Sequence, residues 1–127
     1  MADWDDVRTV ALGLPGVVEG TTFGSASWKV GGELLAWERP LRNPDLAELG
    51  LESHVGPVLG AAVENESTKL ALLAEDPEVF FTTTHFAGYA AILVRLDGIA
   101  LPRLDELIDE AWFARAPARL RRERGGV

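Results

Sequence analysis

Cysteine is absent from the 127 residues, which excludes disulfides, thiol nucleophiles, zinc fingers and iron–sulfur ligation. Long apolar runs are also missing, and none approaches the roughly 18 residues that a membrane-spanning helix needs. The first residues, Met1-Ala2-Asp3-Trp4-Asp5-Asp6, are acidic where a secretion signal is basic. A cytoplasmic protein is therefore expected, with the sequon Asn65-Glu66-Ser67 unused. Histidine is scarce: His54 and His85 stand far apart, without the His-x-x-x-His spacing of a metal site. Basic residues are few as well, 12 Lys and Arg against 20 Asp and Glu, for a net charge of −8. Phosphate binding draws on clustered Lys and Arg, so this balance disfavours nucleic acid as a partner. The distribution runs the other way, because Arg115, Arg119, Arg121, Arg122 and Arg124 all fall at the C-terminal end.

Signature loops are missing too. No glycine-rich loop is followed by Lys and Ser or Thr, and no Gly-x-Gly-x-x-Gly follows a strand, so nothing cradles a nucleotide phosphate in either standard way. Gly24-Ser25-Ala26-Ser27 lacks the second glycine of a nucleophile elbow. Asp105, Glu106, Asp109 and Glu110 form two i, i+4 acidic pairs, a spacing that can hold magnesium or do acid/base work. Glu-x-x-His is absent, which excludes a carboxylate-bridged di-iron site, and the four carboxylates lie off the apolar stripe of their helix, as on a solvated face. With no grouping of nucleophile, base and stabiliser, the expectation is a protein that is not an enzyme and needs neither cofactor nor metal.

What is present suits a single domain over residues 1–127, with a core over about 3–120 and a frayed tail over 121–127. The 47% hydrophobic content is that of an ordinary globular chain. Asp3 caps a first helix whose Trp4, Val7, Ala11 and Leu14 recur at helical spacing, and Pro15-Gly16 ends it. Residues 17–24 read as a glycine-punctuated connection. Gly31-Gly32 between Trp28-Lys29-Val30 and Leu34-Leu35-Ala36-Trp37 predicts a hairpin, since both positions of a two-residue turn need positive φ. Asn43-Pro44-Asp45 through Gly50 predicts a short helix. A buried strand over 56–63, a helix capped by Asn65, a short extended piece at 79–81 and a strong strand over 90–96 follow. Leu104, Leu107, Ile108, Ala111 and Trp112 mark a last long helix, and Pro117 opens a short terminal one. The fold class is α+β: a small antiparallel sheet with helices packed on one face.

Two sets of side chains are candidates for binding. Thr22, Thr84, His85 and Tyr89 lie in glycine-rich loops over 19–24 and 82–89, where hydroxyls and aromatics can line a ligand or partner surface; in the plainer reading His85 and its neighbouring threonines satisfy loop backbone. The C-terminal arginines can track phosphates, or can simply complement a helix dipole. Trp28 and Trp37 flank the hairpin, where a cross-strand aromatic pair would set the register; either one, if exposed, can stack a base.

The order and spacing of several stretches resemble the YjbR/MmcQ family of small bacterial proteins. They are Leu14-Pro15-Gly16 with Glu19 and Thr22-Phe23-Gly24; Trp28-Lys29-Val30-Gly31-Gly32 into Leu34-Leu35-Ala36-Trp37; and Thr84-His85-Phe86 with Gly88-Tyr89 into Ile92-Leu93-Val94-Arg95-Leu96. Ala111-Trp112 and Ala116-Pro117 complete the likeness, which runs from about Val7 to Leu120. The resemblance implies a CyaY-like (frataxin-like) double-wing arrangement and DNA as the partner. The first wing is then the Gly31-Gly32 hairpin, and the second pairs the strand ending at Leu96 with one near residues 58–63. Lys29, Arg39 and Arg42 near the first wing, with Arg119, Arg121 and Arg122, become the DNA contacts. The alternative is a non-catalytic adaptor or small-ligand-binding domain that uses the 19–24 and 82–89 loops.

Overall fold

The computed structural model describes residues 2–22, 24–50 and 56–124; Phe23 and His54 lie outside these. Local signals set most of its elements. Helix α1, Trp4–Leu12, opens with a reciprocal capping box: Asp3 accepts from the Asp6 backbone N–H, and the Asp6 carboxylate accepts from that of Asp3. Helix α2, Asn43–Leu49, is held at its start by the Asp45 carboxylate, which accepts from the Arg42 N–H at 2.9 Å. Asn65 caps α3, Glu66–Glu75, by accepting from the Thr68 N–H. The long α4, Leu101–Arg115, has Pro102 in its first turn, where the missing N–H costs nothing. Helix α5, Ala118–Arg124, is helical past residue 121, where the composition predicts fraying. Arg124 explains this difference: it pairs with Asp109 and lies 5.0 and 4.9 Å over the rings of Trp112 and Phe113.

Six antiparallel strands form one sheet in the order β1-β2-β3-β4-β6-β5. They are β1, Val17–Thr22; β2, Ser25–Val30; β3, Glu33–Glu38; β4, Val58–Ala62; β5, Phe80–Phe81; and β6, Ala91–Arg95. Both strand pairs expected from the family resemblance are present: β2 with β3 around Gly31-Gly32, and β4 with β6. Within the expected 17–24 connection, by contrast, residues 17–22 form an edge strand that pairs residue for residue with β2. Its β-branched Val17, Val18, Thr21 and Thr22 outweigh Gly20, whose missing side chain a strand tolerates.

Residues directly opposite in a ladder share a face. Trp28 lies opposite Ala36, whereas Trp37 lies opposite Ser27. The two indoles therefore project from opposite faces, and the expected cross-strand tryptophan pair does not form. Trp28 stacks instead on Trp4 of α1, with centroids 6.5 Å apart. Its N–H donates to Glu19, which also accepts from Arg8 at 2.8 Å, and that guanidinium bond holds the Glu19 carboxyl below its ordinary pKa.

The larger core lies on the Trp28 face, where Leu104, Leu107, Ile108, Ala111 and Trp112 of α4 meet Val30, Leu35, Leu59, Ile92 and Val94. Helices α1 and α3 join this layer, as the fold class predicts. The opposite face carries the row Gly20, Ser27, Trp37, Gly60, Leu93 and Phe81 across successive strands. At its β5–β6 end a second, smaller core is covered from the 37–49 region by Leu41, Leu46 and Leu49, and by Phe86. At its β1–β2 end Val18 and Gly20 are exposed.

Candidate functional site

The second face thus changes from covered to open in mid-sheet, and a cavity of about 550 Å³ sits at the step. Its residues come from distant points of the chain: Thr22 and Ser25 from the β1–β2 hairpin, Trp37 to Arg42 from β3 and the segment after it, and His85, Phe86 and Tyr89 from the loop before β6. Trp37 forms part of the floor. Gly60 lies opposite it on β4, and a Cβ there would run into the indole ring. A glycine at this position lets the indole lie on the strand, half-buried, with part of it toward the cavity.

The far wall is the 84–89 loop, and it is firmly tied. Lys69 of α3 is buried, 3% exposed, and its ammonium donates to the carbonyls of Phe86 (2.8 Å) and Tyr89 (3.1 Å). Glu48 of α2 accepts from the Thr84 N–H at 2.8 Å. Arg115 of α4 donates to the Ala90 carbonyl at 2.9 Å. Phe86 is buried and packs 6.2 Å from Trp37, while His85 and Tyr89 stack at 6.5 Å on the exposed rim. A wall anchored to three helices is preformed, which is the usual condition of a ligand site.

Charge is unevenly used here. Arg39 is buried: it pairs with Asp45 at 3.1 Å, donates to the Pro40 carbonyl and lies 5.3 Å over the Phe86 ring. Among the described residues, Arg42 forms no salt bridge through its exposed guanidinium. Glu38 borders the cavity from β3, but it lies opposite Leu59 on the Trp28 face, and its carboxylate accepts from the Ala26 N–H at 3.2 Å. Thr22 and Ser27 share a hydrogen bond of 2.9 Å.

Three of the four residues expected for a ligand surface, Thr22, His85 and Tyr89, do line this one cavity. Thr84 lines an adjoining hollow with Arg42, Glu48 and His85. The residues expected as DNA contacts divide. Arg39 and Arg42 border the cavity, and Arg39 is spent on Asp45. Exposed Lys29 lies near the β2–β3 turn, whose Gly31 abuts Pro117 at the start of α5; Arg119, Arg121 and Arg122 are exposed on that helix. The length of β2, on the order of 17 Å by strand rise, separates the two groups. The acidic pairs of α4 do not gather into a metal site: among the described residues no such cluster forms, and Asp109 is taken by Arg124. Neither Ser25 nor Phe86 stands out as a site residue in the sequence. The available signal was Phe86 beside His85 and Tyr89, three aromatics within five residues ahead of a strand.

Fold and site together define a small α+β protein built on a six-stranded antiparallel sheet, with an aromatic-walled cavity on its less covered face. The YjbR family model matches residues 12–114, and the chain belongs to the YjbR family. Uncharacterised proteins of Mycobacterium bovis and Mycobacterium tuberculosis are 48% identical to it over 123 residues, covering 94% of this chain and 93% of theirs. A crystal structure of a Deinococcus radiodurans protein with a DUF419 domain has the same fold, at TM-score 0.68 and 20% identity, over all of this chain and 90% of that one. No helix among the described residues is long and apolar enough to cross a membrane.

Proposed function

We propose that this protein is a non-catalytic ligand-binding domain whose site is the cavity between the β1–β2 hairpin and the 84–89 loop. The observation that carries this reading is the preformed wall: a buried lysine and two further helices hold an aromatic loop over an open 550 Å³ space. That volume lies within the range of small-molecule sites. A thermal-shift screen of a chemically diverse library tests it, run in parallel on Ser25→Trp, whose indole fills the cavity. Compounds that stabilise the native protein and fail on the variant are the expected result. If no compound stabilises it, or if Ser25→Trp keeps every response, the cavity is not the site.

Duplex DNA is the second reading, favoured by the run of exposed arginines on α5. Arg119, Arg121 and Arg122 have no carboxylate partner among the described residues. This surface would bind through phosphates alone, without sequence preference. Fluorescence anisotropy of a labelled 20-base-pair duplex distinguishes the two readings, because binding through α5 is indifferent to Ser25→Trp and is abolished by replacing the three arginines with alanine.

A further inference from the structure

The charges around the cavity are not equally available. Glu38 lies opposite Leu59, on the Trp28 face, where its carboxylate accepts from the Ala26 N–H. Arg42 stands on the α2 side, exposed and without a salt bridge among the described residues. Arg39, the other guanidinium in the lining, is already neutralised by Asp45. Beside Arg42 lie the partly open Trp37 indole and the Phe86 and Tyr89 rings. An unpaired guanidinium selects a carboxylate or phosphate, and aromatic faces select a flat ring system.

Resting on the ligand-binding reading above, we propose that the cavity takes a planar heteroaromatic molecule with one acidic group. The ring system lies along Trp37, and the acidic group meets Arg42. A purine mononucleotide and a heteroaromatic carboxylic acid share this chemistry and differ in the anion, phosphate or carboxylate. Two smaller hollows among the described residues lack this combination. The one by Arg121 has Phe113 and two glutamates, and the one by Thr84 has no aromatic ring besides His85.

The experiment follows the Trp37 indole N–H signal in nitrogen-15 correlation spectra, identified by its loss in Trp37→Phe. The probes are guanosine 5′-monophosphate, indole-3-carboxylate, their neutral counterparts guanosine and indole, and inorganic phosphate. At least one ring anion should shift the signal, with its neutral counterpart binding about tenfold or more weakly, the size of one well-placed charged contact. Phosphate alone should leave the signal in place. Arg42→Gln, on the surface and free of packing duties, should erase the preference for the anion. The ring anion that binds identifies the acidic group as phosphate or carboxylate. Equal binding of neutral and anionic rings, or a preference that survives Arg42→Gln, overturns the ligand class and leaves the cavity reading standing. So does a Trp37 signal moved by other library compounds and by neither ring anion. A signal that no compound of any class moves overturns both.

Discussion

At the scale of single residues, Lys69 decides more than its place in the sequence indicates. On α3 it reads as a lone cation on a helix surface, just ahead of apolar Leu70, Leu72 and Leu73. Folded, it is buried and spends its ammonium on two carbonyls of the loop that walls the cavity. Its aliphatic stem packs while its head replaces water for groups that have lost it. Lys69→Met keeps the stem and removes the donors, leaving the Phe86 and Tyr89 carbonyls without this partner. Each carbonyl keeps a backbone donor, the Tyr89 and Ala91 N–H groups, so the expected cost is about 1.5–3 kcal/mol, that of losing hydrogen bonds to a charged group. Urea denaturation measures it, and hydrogen exchange at the Ala87 and Tyr89 amides should speed up in the variant. Unchanged stability with unchanged exchange would show that the loop holds itself.

At the scale of elements, the β2–β3 hairpin shows how turn chemistry and packing combine. Gly31 and Gly32 have φ of +58° and +81°, as a two-residue turn between twisted strands demands. Only Gly31 is also crowded: a Cβ there would lie 2.6 Å from the Pro117 ring, whereas one at Gly32 meets nothing. The turn is therefore docked on the junction between α4 and α5. Gly32→Ala is expected to cost about 1 kcal/mol, the conformational penalty alone. Gly31→Ala should cost distinctly more, because Pro117 has to move as well. Melting temperatures of the two variants check this, and equal losses would mean that the docking contributes nothing. The hairpin itself was legible from Gly31-Gly32 between β-prone runs. The docking was not, since Pro117 lies more than 80 positions away.

At the scale of the whole molecule, net charge sets the terms for any polyanionic partner. A total of −8 repels DNA at long range, and the arginines of α5 have to act against that field from one end of the sheet. If α5 binds duplex, the binding rests on about three phosphate contacts. Its salt slope should then lie near −3 on logarithmic axes, far below that of a dedicated repressor. Anisotropy titrations at several salt concentrations give the slope. A value near zero, or no binding at low salt, removes DNA as a partner. A steep slope would point to contacts beyond α5, with Lys29 and Arg42 the next to replace.

The sequence alone determined the element types and most of their ends, because the interactions that set them span a few residues. Asp3 with Asp6, Asn65 with Thr68 and Pro102 in a first turn are complete within one helical turn. The edge strand at 17–22 escaped notice because its identity comes from a partner strand rather than from its own glycine-dotted run. Tertiary structure decided which face each side chain took, and with that the site. Trp28 and Trp37 look equivalent around the hairpin, yet the register buries one in the main core and leaves the other at a cavity. Arg39 and Arg42 look equivalent as cations, yet Asp45 neutralises only the first. A cavity assembled from Ser25, Trp37, Arg42 and Tyr89 has no local signature, because each of these residues belongs to a different segment of the chain and only the sheet brings them together.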